Sequence, residues 1–178
     1  GRIDHDQSGH AARPVSGRRA VVLRDRAAAR DAAAQIHLRE ARWSNGEPVT
    51  AADFVYAWRR EVDPKTGAEY AQSVAPIRNA LAIATGALPA EQLGVEALDA
   101  ATLRVQLEAP TPYLLALLSA SYMMPLHRAT VERWGDDWVR PANMVSNGPF
   151  ALEEVVIGNR ITLKKNPHYW AADSVRLQ

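Results

Sequence analysis

The stretch Ala41-Arg42-Trp43-Ser44-Asn45-Gly46-Glu47-Pro48-Val49-Thr50-Ala51-Ala52-Asp53-Phe54-Val55-Tyr56-Ala57-Trp58 decides how this chain is organised. Ser44-Asn45-Gly46-Glu47-Pro48 collects turn-forming residues, because Asn and Gly accept left-handed backbone and Pro cannot continue a ladder. Asn45 and Gly46 are therefore read as turn geometry. Thr50, followed three residues later by Asp53, has the form of a capping box, and the acid is also favoured in a first helical turn. The pattern predicts a helix over Ala51 to Val62, about 18 Å long at 1.5 Å per residue. Phe54, Val55 and Trp58 give that helix a buried stripe. Upstream, Gln35-Ile36-His37-Leu38-Arg39 alternates polar and apolar residues, as a half-buried strand does. The decisive segment thus reads strand, turn, helix.

Working outward, Asp63-Pro64-Lys65-Thr66-Gly67 stops the helix, since Pro lacks a backbone donor and Gly accepts the turn that follows. A second helix is expected from about Pro76 to Thr85, ending before Gly86. Gly94 to Asp99 and Thr102 to Glu108 read as two antiparallel strands, the second alternating with one wet face. Pro110-Thr111-Pro112 opens a short apolar helix through Leu118, and His127 to Trp134 forms another that Gly135 ends. Phe150 to Val156 and Arg160 to Lys165 flank Gly158-Asn159, a pair suited to closing a two-residue hairpin. The expected fold class is mixed α/β of the α+β kind, without repeats.

The chain has 178 residues, 47% of them hydrophobic and 23% charged, enough for one domain or two small ones. Twenty-one basic residues against twenty acidic ones leave a net charge of +1, so no global field recruits nucleic acid or an anionic membrane. Cysteine is absent, which excludes disulfides, thiolate zinc sites and cysteine nucleophiles. No apolar run approaches the roughly 20 residues of a spanning helix. Charge is uneven: residues 1–40 hold eight arginines against five acids, while residues 41–178 hold thirteen basic residues against fifteen acidic. The segment 1–34 is rich in Arg and Ala and lacks aromatic residues, so partial disorder is expected there. Arg18, Arg19, Arg24, Arg26 and Arg30 are interrupted by acids and accompanied by no stacking side chain, so they are read as solvated rather than as a nucleic-acid arm. Val21-Val22-Leu23 is too short for the core of an export signal.

Chemistry-bearing motifs are missing. The histidines at 5, 10, 37, 127 and 168 show no metal-ligand spacing, so no metal site is expected. No nucleophile elbow, P-loop or dinucleotide fingerprint occurs, and no cofactor is expected. Asp136-Asp137 and Glu153-Glu154 are read as surface charge rather than as an acid/base dyad. The residues point to a protein that is not an enzyme.

Residues 41–58 resemble the strand-turn-helix segment of the solute-binding proteins of peptide ABC importers, family 5 of the extracellular solute-binding proteins. The resemblance continues through Asp63-Pro64 with Tyr70-Ala71, Leu93-Gly94-Val95-Glu96-Ala97-Leu98-Asp99, the Pro112-Tyr113 helix, Ser146-Asn147-Gly148-Pro149-Phe150 and Lys165-Asn166-Pro167-His168-Tyr169-Trp170. It covers about residues 35–178 and is strongest toward the periplasmic oligopeptide-binding proteins, including murein-tripeptide binders. It implies a type II periplasmic-binding-protein fold, present mainly as the accessory domain and part of the first lobe. By that division residues 1–34 are a divergent segment, 35–145 an accessory domain and 146–178 a crossover hairpin returning to the first lobe.

The same resemblance implies non-catalytic capture of oligopeptides for import, in the periplasm, with an ABC permease as membrane partner. Complete members are far longer, so a truncated member is expected. The second lobe, which in oligopeptide binders supplies the acidic and basic partners of the peptide termini, would follow Gln178. Tyr56 aligns with a tyrosine that lines the peptide cleft; its plainer reading is a partly buried helix tyrosine. Asn147 and Gly148 lie where the family chain crosses between lobes and are candidate hinge residues, or else a strand-entry turn. Trp43, Trp58 and Trp170 are read as core, and His127 and Arg140 as surface residues. The alternative function is a ligand-free structural or self-associating interaction module derived from the same family, whose partner is a further copy of the chain in a homo-oligomer.

Overall fold

The computed structural model describes residues 21–22 and 32–177. Of the segment 1–34, in which disorder is expected, only residues 21–22 and 32–34 are described; the arginines from Arg18 to Arg30 lie outside the described residues. What is described there is β1 (Val21–Val22), antiparallel to β2 (Ala33–Leu38). With β3 (Val95–Ala97) and β4 (Thr102–Gln106) these make one antiparallel sheet of order β1-β2-β4-β3. Ile36 stands opposite Leu103, and Ala34 opposite Val105, so the period-2 alternation turns all four side chains to one face. All four are buried. β2 begins two residues before the expected Gln35, and β3 is a shorter strand than the expected Gly94–Asp99.

Helix α1 (Ala51–Val62) has the expected bounds. Its start is held by Asp53, whose Oδ2 accepts the backbone N–H of Thr50 at 2.8 Å and the Thr50 hydroxyl at 3.0 Å. Trp43 Nε1 donates to the same oxygen at 3.4 Å, joining the turn to the helix. Ala51, Phe54, Ala57, Trp58 and Val62 form its buried face, which lies against β3 and β4. Phe54 and Trp58 meet edge to face at 6.1 Å, and burial of each contributes about 1.5–3 kcal/mol. Trp58 Nε1 donates to the Met123 carbonyl at 2.9 Å, so the buried indole N–H of this face is satisfied. Asp63 ends α1; its Oδ1 accepts the Lys65 N–H at 2.9 Å, and Gly67 closes the turn at φ +62°.

The helix expected over Pro76–Thr85 is shorter: α2 spans Ala80–Ala84. Ile77 instead bridges to Leu107, Arg78 N–H donates to the Gln106 carbonyl at 2.9 Å, and Asn79 turns the chain at φ +67°. Sheet-edge hydrogen bonding therefore replaces the first helical turn, an override of local pattern by tertiary pairing. Short α3 (Leu114–Leu117) and α4 (Arg128–Trp134) follow where the sequence places them, and Gly135 ends α4 at φ +52°. Strands β5 (Phe150–Val156) and β6 (Arg160–Lys165) form a separate two-stranded sheet with the expected bounds. Their connection is three residues rather than two: Val156 pairs with Arg160, and the Asn159 N–H returns to the Val156 carbonyl at 3.0 Å across Gly158 at φ +74°. Glycine at the third position of a β-turn supplies the positive φ that this geometry needs.

Candidate binding hollow

Helix α1 carries a second stripe beside its buried one. Ala52, Val55, Tyr56, Arg59, Arg60 and Asp63 follow one another at three- and four-residue spacing and share a face. That face walls an open hollow of about 550 Å³, closed on the other sides by Thr66, Ala90 and Glu91, Glu96 and Ala97 of β3, and Arg128 of α4. Tyr56, the residue expected to line a ligand cleft, thus lies on its wall and is half-buried. Burial raises the pKa of its phenol; Arg60 and Arg128 pull it down and Glu132 pushes it up. The hydroxyl is protonated at neutral pH and available as a donor.

The charged groups of the hollow differ in how they are engaged. Arg128 pairs with Glu132 at 2.7 Å and lies 5.7 Å from the centre of the Tyr56 ring. Glu96 pairs with Arg104 at 3.2 Å. Arg59 Nη2 donates to the Glu91 carbonyl at 3.2 Å, and its Nε is buried with no partner among the described residues. Sequence reasoning did not single out Arg59, Arg60 or Arg128. The first two were visible as the residues three and four positions after Tyr56, whereas Arg128 reaches the hollow only through the tertiary fold.

Arg128 also borders a second hollow, of about 410 Å³, between the turn and α4, lined among others by Trp43, Glu47, Asp53 and His127. His127 is not the surface residue expected. Its side chain is largely covered, meets the Trp43 ring edge-on at 5.4 Å, accepts the Thr130 N–H at 3.3 Å as the N-cap of α4, and hydrogen-bonds through Nε2 to Glu47. Hydrogen bonds from Asn45 and His127 hold the Glu47 carboxyl below its ordinary range. Trp170, expected in the core, is 39% exposed, and the Arg39 guanidinium lies over its ring at 3.7 Å. Trp43 and Trp58 are buried, as expected.

Asn147 and Gly148 lie between two fixed points. On one side Ser44 N–H donates to the Ser146 carbonyl at 2.7 Å and Ser146 N–H to Ser44 Oγ at 3.2 Å. On the other, Asn166 Nδ2 donates to the Gly148 carbonyl at 2.9 Å. Gly148 does not adopt positive φ, and a Cβ there would meet nothing nearer than the Phe150 carbonyl at 3.8 Å. Among the described residues no group of three or more His, Cys, Asp or Glu could hold a metal ion, and no helix is long and apolar enough to cross a membrane.

Solved structures share this fold. The chain superposes on Listeria monocytogenes OppA bound to peptide with a TM-score of 0.80 and 39% identity, over 88% of this chain and 31% of that one. The fold is therefore a fragment of the periplasmic-binding class, with mixed helix and sheet. The family model for bacterial extracellular solute-binding proteins, family 5 Middle, matches residues 30–178, and the chain belongs to that family. The periplasmic oligopeptide-binding protein OppA of Salmonella typhimurium is 47% identical over 137 residues, covering 75% of this chain and 25% of that protein. The periplasmic murein peptide-binding protein MppA of Escherichia coli K12 is 43% identical over 132 residues, covering 73% and 24%. The chain thus spans about a quarter of the length of the curated relatives it matches.

Proposed function

We propose that this chain belongs to the solute-binding component of a peptide ABC importer, a non-catalytic periplasmic receptor that captures oligopeptides and passes them to a membrane permease. The observation that carries the reading is the hollow along α1, with Tyr56 on its wall, in a chain 47% identical to an oligopeptide-binding protein over its matched length. A phenol that is half-buried and protonated offers an extended peptide both an apolar ring and a hydrogen-bond donor. Residues 35–145 then act as the accessory domain and 146–178 as the crossover hairpin. Asn147 and Gly148, between the Ser44–Ser146 and Gly148–Asn166 hydrogen bonds, serve as the hinge at the junction.

A specific observation supports a second reading, self-association. Val155, Ile161 and Leu163 lie on one face of the β5–β6 hairpin and are exposed, and Ile157 at its tip is 96% exposed. An uncovered apolar strand pair favours association. Native mass spectra of the chain, before and after addition of a mixture of di- to pentapeptides, separate the two. Peptide adducts on the parent chain that are lost in Tyr56→Ala support capture. Ligand-free dimers or higher oligomers, with no adduct, refute capture in this chain and establish the second reading.

A further inference from the structure

The sequence holds six asparagines, and two of them, Asn45 and Asn147, stand directly before a glycine. Asparagine is a thermolabile residue, and glycine after it leaves the reaction least hindered, because no Cβ keeps the glycine nitrogen away from the asparagine side-chain carbon. The fold treats the two pairs differently. In the turn before α1, Asn45 is tied at both amide atoms: Nδ2 donates to Glu47 Oε2 at 2.9 Å, and Oδ1 accepts the Glu47 N–H at 3.1 Å. The nitrogen that would attack it, that of Gly46, donates to the Trp43 carbonyl at 2.9 Å, in a backbone held at φ +89°. At the start of the β5–β6 hairpin these restraints are missing. Among the described residues Asn147 makes no side-chain hydrogen bond, and the Gly148 N–H donates to no acceptor. Asn147 is half-buried, with its amide atoms open to solvent. Nothing crowds the glycine either, since even an added Cβ would find its nearest neighbour, the Phe150 carbonyl oxygen, at 3.8 Å.

We infer that Asn147 is a self-modification site, at which the folded chain deamidates and isomerises in water. The Gly148 amide nitrogen gives its proton to water and bonds to Asn147 Cγ; the Cγ–Nδ2 bond breaks, and the amino group takes up a proton and leaves as ammonia. One water molecule then opens the cyclic imide, at Cγ to give aspartate or at the main-chain carbonyl carbon to give isoaspartate. Isoaspartate routes the backbone through Cγ and lengthens it by one atom between two fixed points, the Ser44–Ser146 hydrogen bonds and the Gly148 carbonyl. That carbonyl accepts from Asn166 Nδ2 at 2.9 Å, and Asn166 is 2% exposed, so displacing the carbonyl takes the partner from a buried donor. The junction between the turn and the hairpin therefore loosens as the chain ages. The site stands independently of peptide capture.

The test is incubation of the purified chain in mildly alkaline heavy-oxygen water, folded and in parallel unfolded in urea, followed by digestion and tandem mass spectrometry that reads the label taken up at each asparagine. In urea Asn45 and Asn147 convert at similar rates, because both precede glycine in an open chain. In the folded chain Asn147 keeps a rate close to its urea rate, whereas Asn45 falls behind it by at least about tenfold, since several hydrogen bonds must break before Asn45 reacts. Gly148→Ala, whose methyl group has room in the fold, slows conversion at position 147 and leaves Asn45 unchanged. The aged parent shows a lower urea midpoint in step with its isoaspartate content, and Gly148→Ala aged in the same way does not. A folded Asn147 that converts no faster than Asn45 overturns the site. An aged parent rich in isoaspartate with an unchanged midpoint overturns the loosening of the junction while leaving the site itself established.

Discussion

Gly94→Ala tests the packing that frames the hollow. Gly94 stands just before β3; its N–H donates to the Arg78 carbonyl at 2.9 Å and its carbonyl accepts the Gln106 N–H at 2.7 Å. A Cβ built there meets Arg78 Cβ at 2.7 Å, the Gln106 carbonyl oxygen at 3.0 Å and Gln106 Cβ at 3.1 Å. None of these atoms is the free end of a side chain, so the backbones before α2 and along β4 must separate to admit the methyl group. Overpacking of this kind costs about 1–3 kcal/mol. Replacing glycine also restricts the unfolded chain, which returns about 0.4–1 kcal/mol. The expected net loss is about 1–2 kcal/mol, read as a lower urea midpoint with an unchanged slope. Gly148→Ala is the matched control, since its new Cβ has ordinary clearance of 3.8 Å and its φ is not positive. With no clash to offset the restricted unfolded chain, it is expected to equal the parent or exceed it by up to about 1 kcal/mol. Equal stability of the two variants would refute the steric argument.

Trp58→Phe removes the donor to the Met123 carbonyl and shortens a ring that is 1% exposed, so a loss of about 2 kcal/mol is expected, from the orphaned acceptor and the space left behind; a thermal midpoint equal to the parent's would show that the bond carries no net stability. Glu61 has a buried Oε1 with no hydrogen-bond partner among the described residues, and burial raises its carboxyl pKa above the ordinary 4.5. The folded state therefore binds this proton more tightly than the unfolded state, and its contribution to stability declines as pH rises through that raised value. Glu61→Gln is expected to be more stable than the parent at about pH 7 and no more stable than it at about pH 4, measured by urea unfolding at both; a gain of equal size at both would refute a protonation origin.

Local chemistry made α1, its cap and its stop legible, because Thr50, Asp53, Asp63 and Pro64 act within a few residues of themselves. The bounds of β5 and β6 were legible for a similar reason, as alternation and a glycine turn need no distant partner. Where distant pairing decided the outcome, the pattern misled. Pro76 to Asn79 has helical texture, but Leu107 and Gln106 offer it hydrogen bonds that a first helical turn would forgo. Trp170 has the composition of a core residue, yet it lies at a surface where Arg39 covers its face. His127 looked peripheral because neither Glu47, eighty positions away, nor Trp43 is its neighbour in sequence.

The site divides along the same line. Tyr56, Arg59 and Arg60 share a helix face that spacing alone reveals, so the wall of the hollow could be drawn from the sequence. Its charge pairing could not, because that depends on which acids are already engaged. Glu96 is withdrawn by Arg104 across the β3–β4 pair, and Glu132 is held by Arg128 along α4. A count of charges finds the lining neutral; only the pairing, which the fold sets, leaves Arg60 at the hollow without a carboxylate among the described residues. The local field of such a hollow therefore follows from what the neighbouring ion pairs remove as much as from the residues that line it.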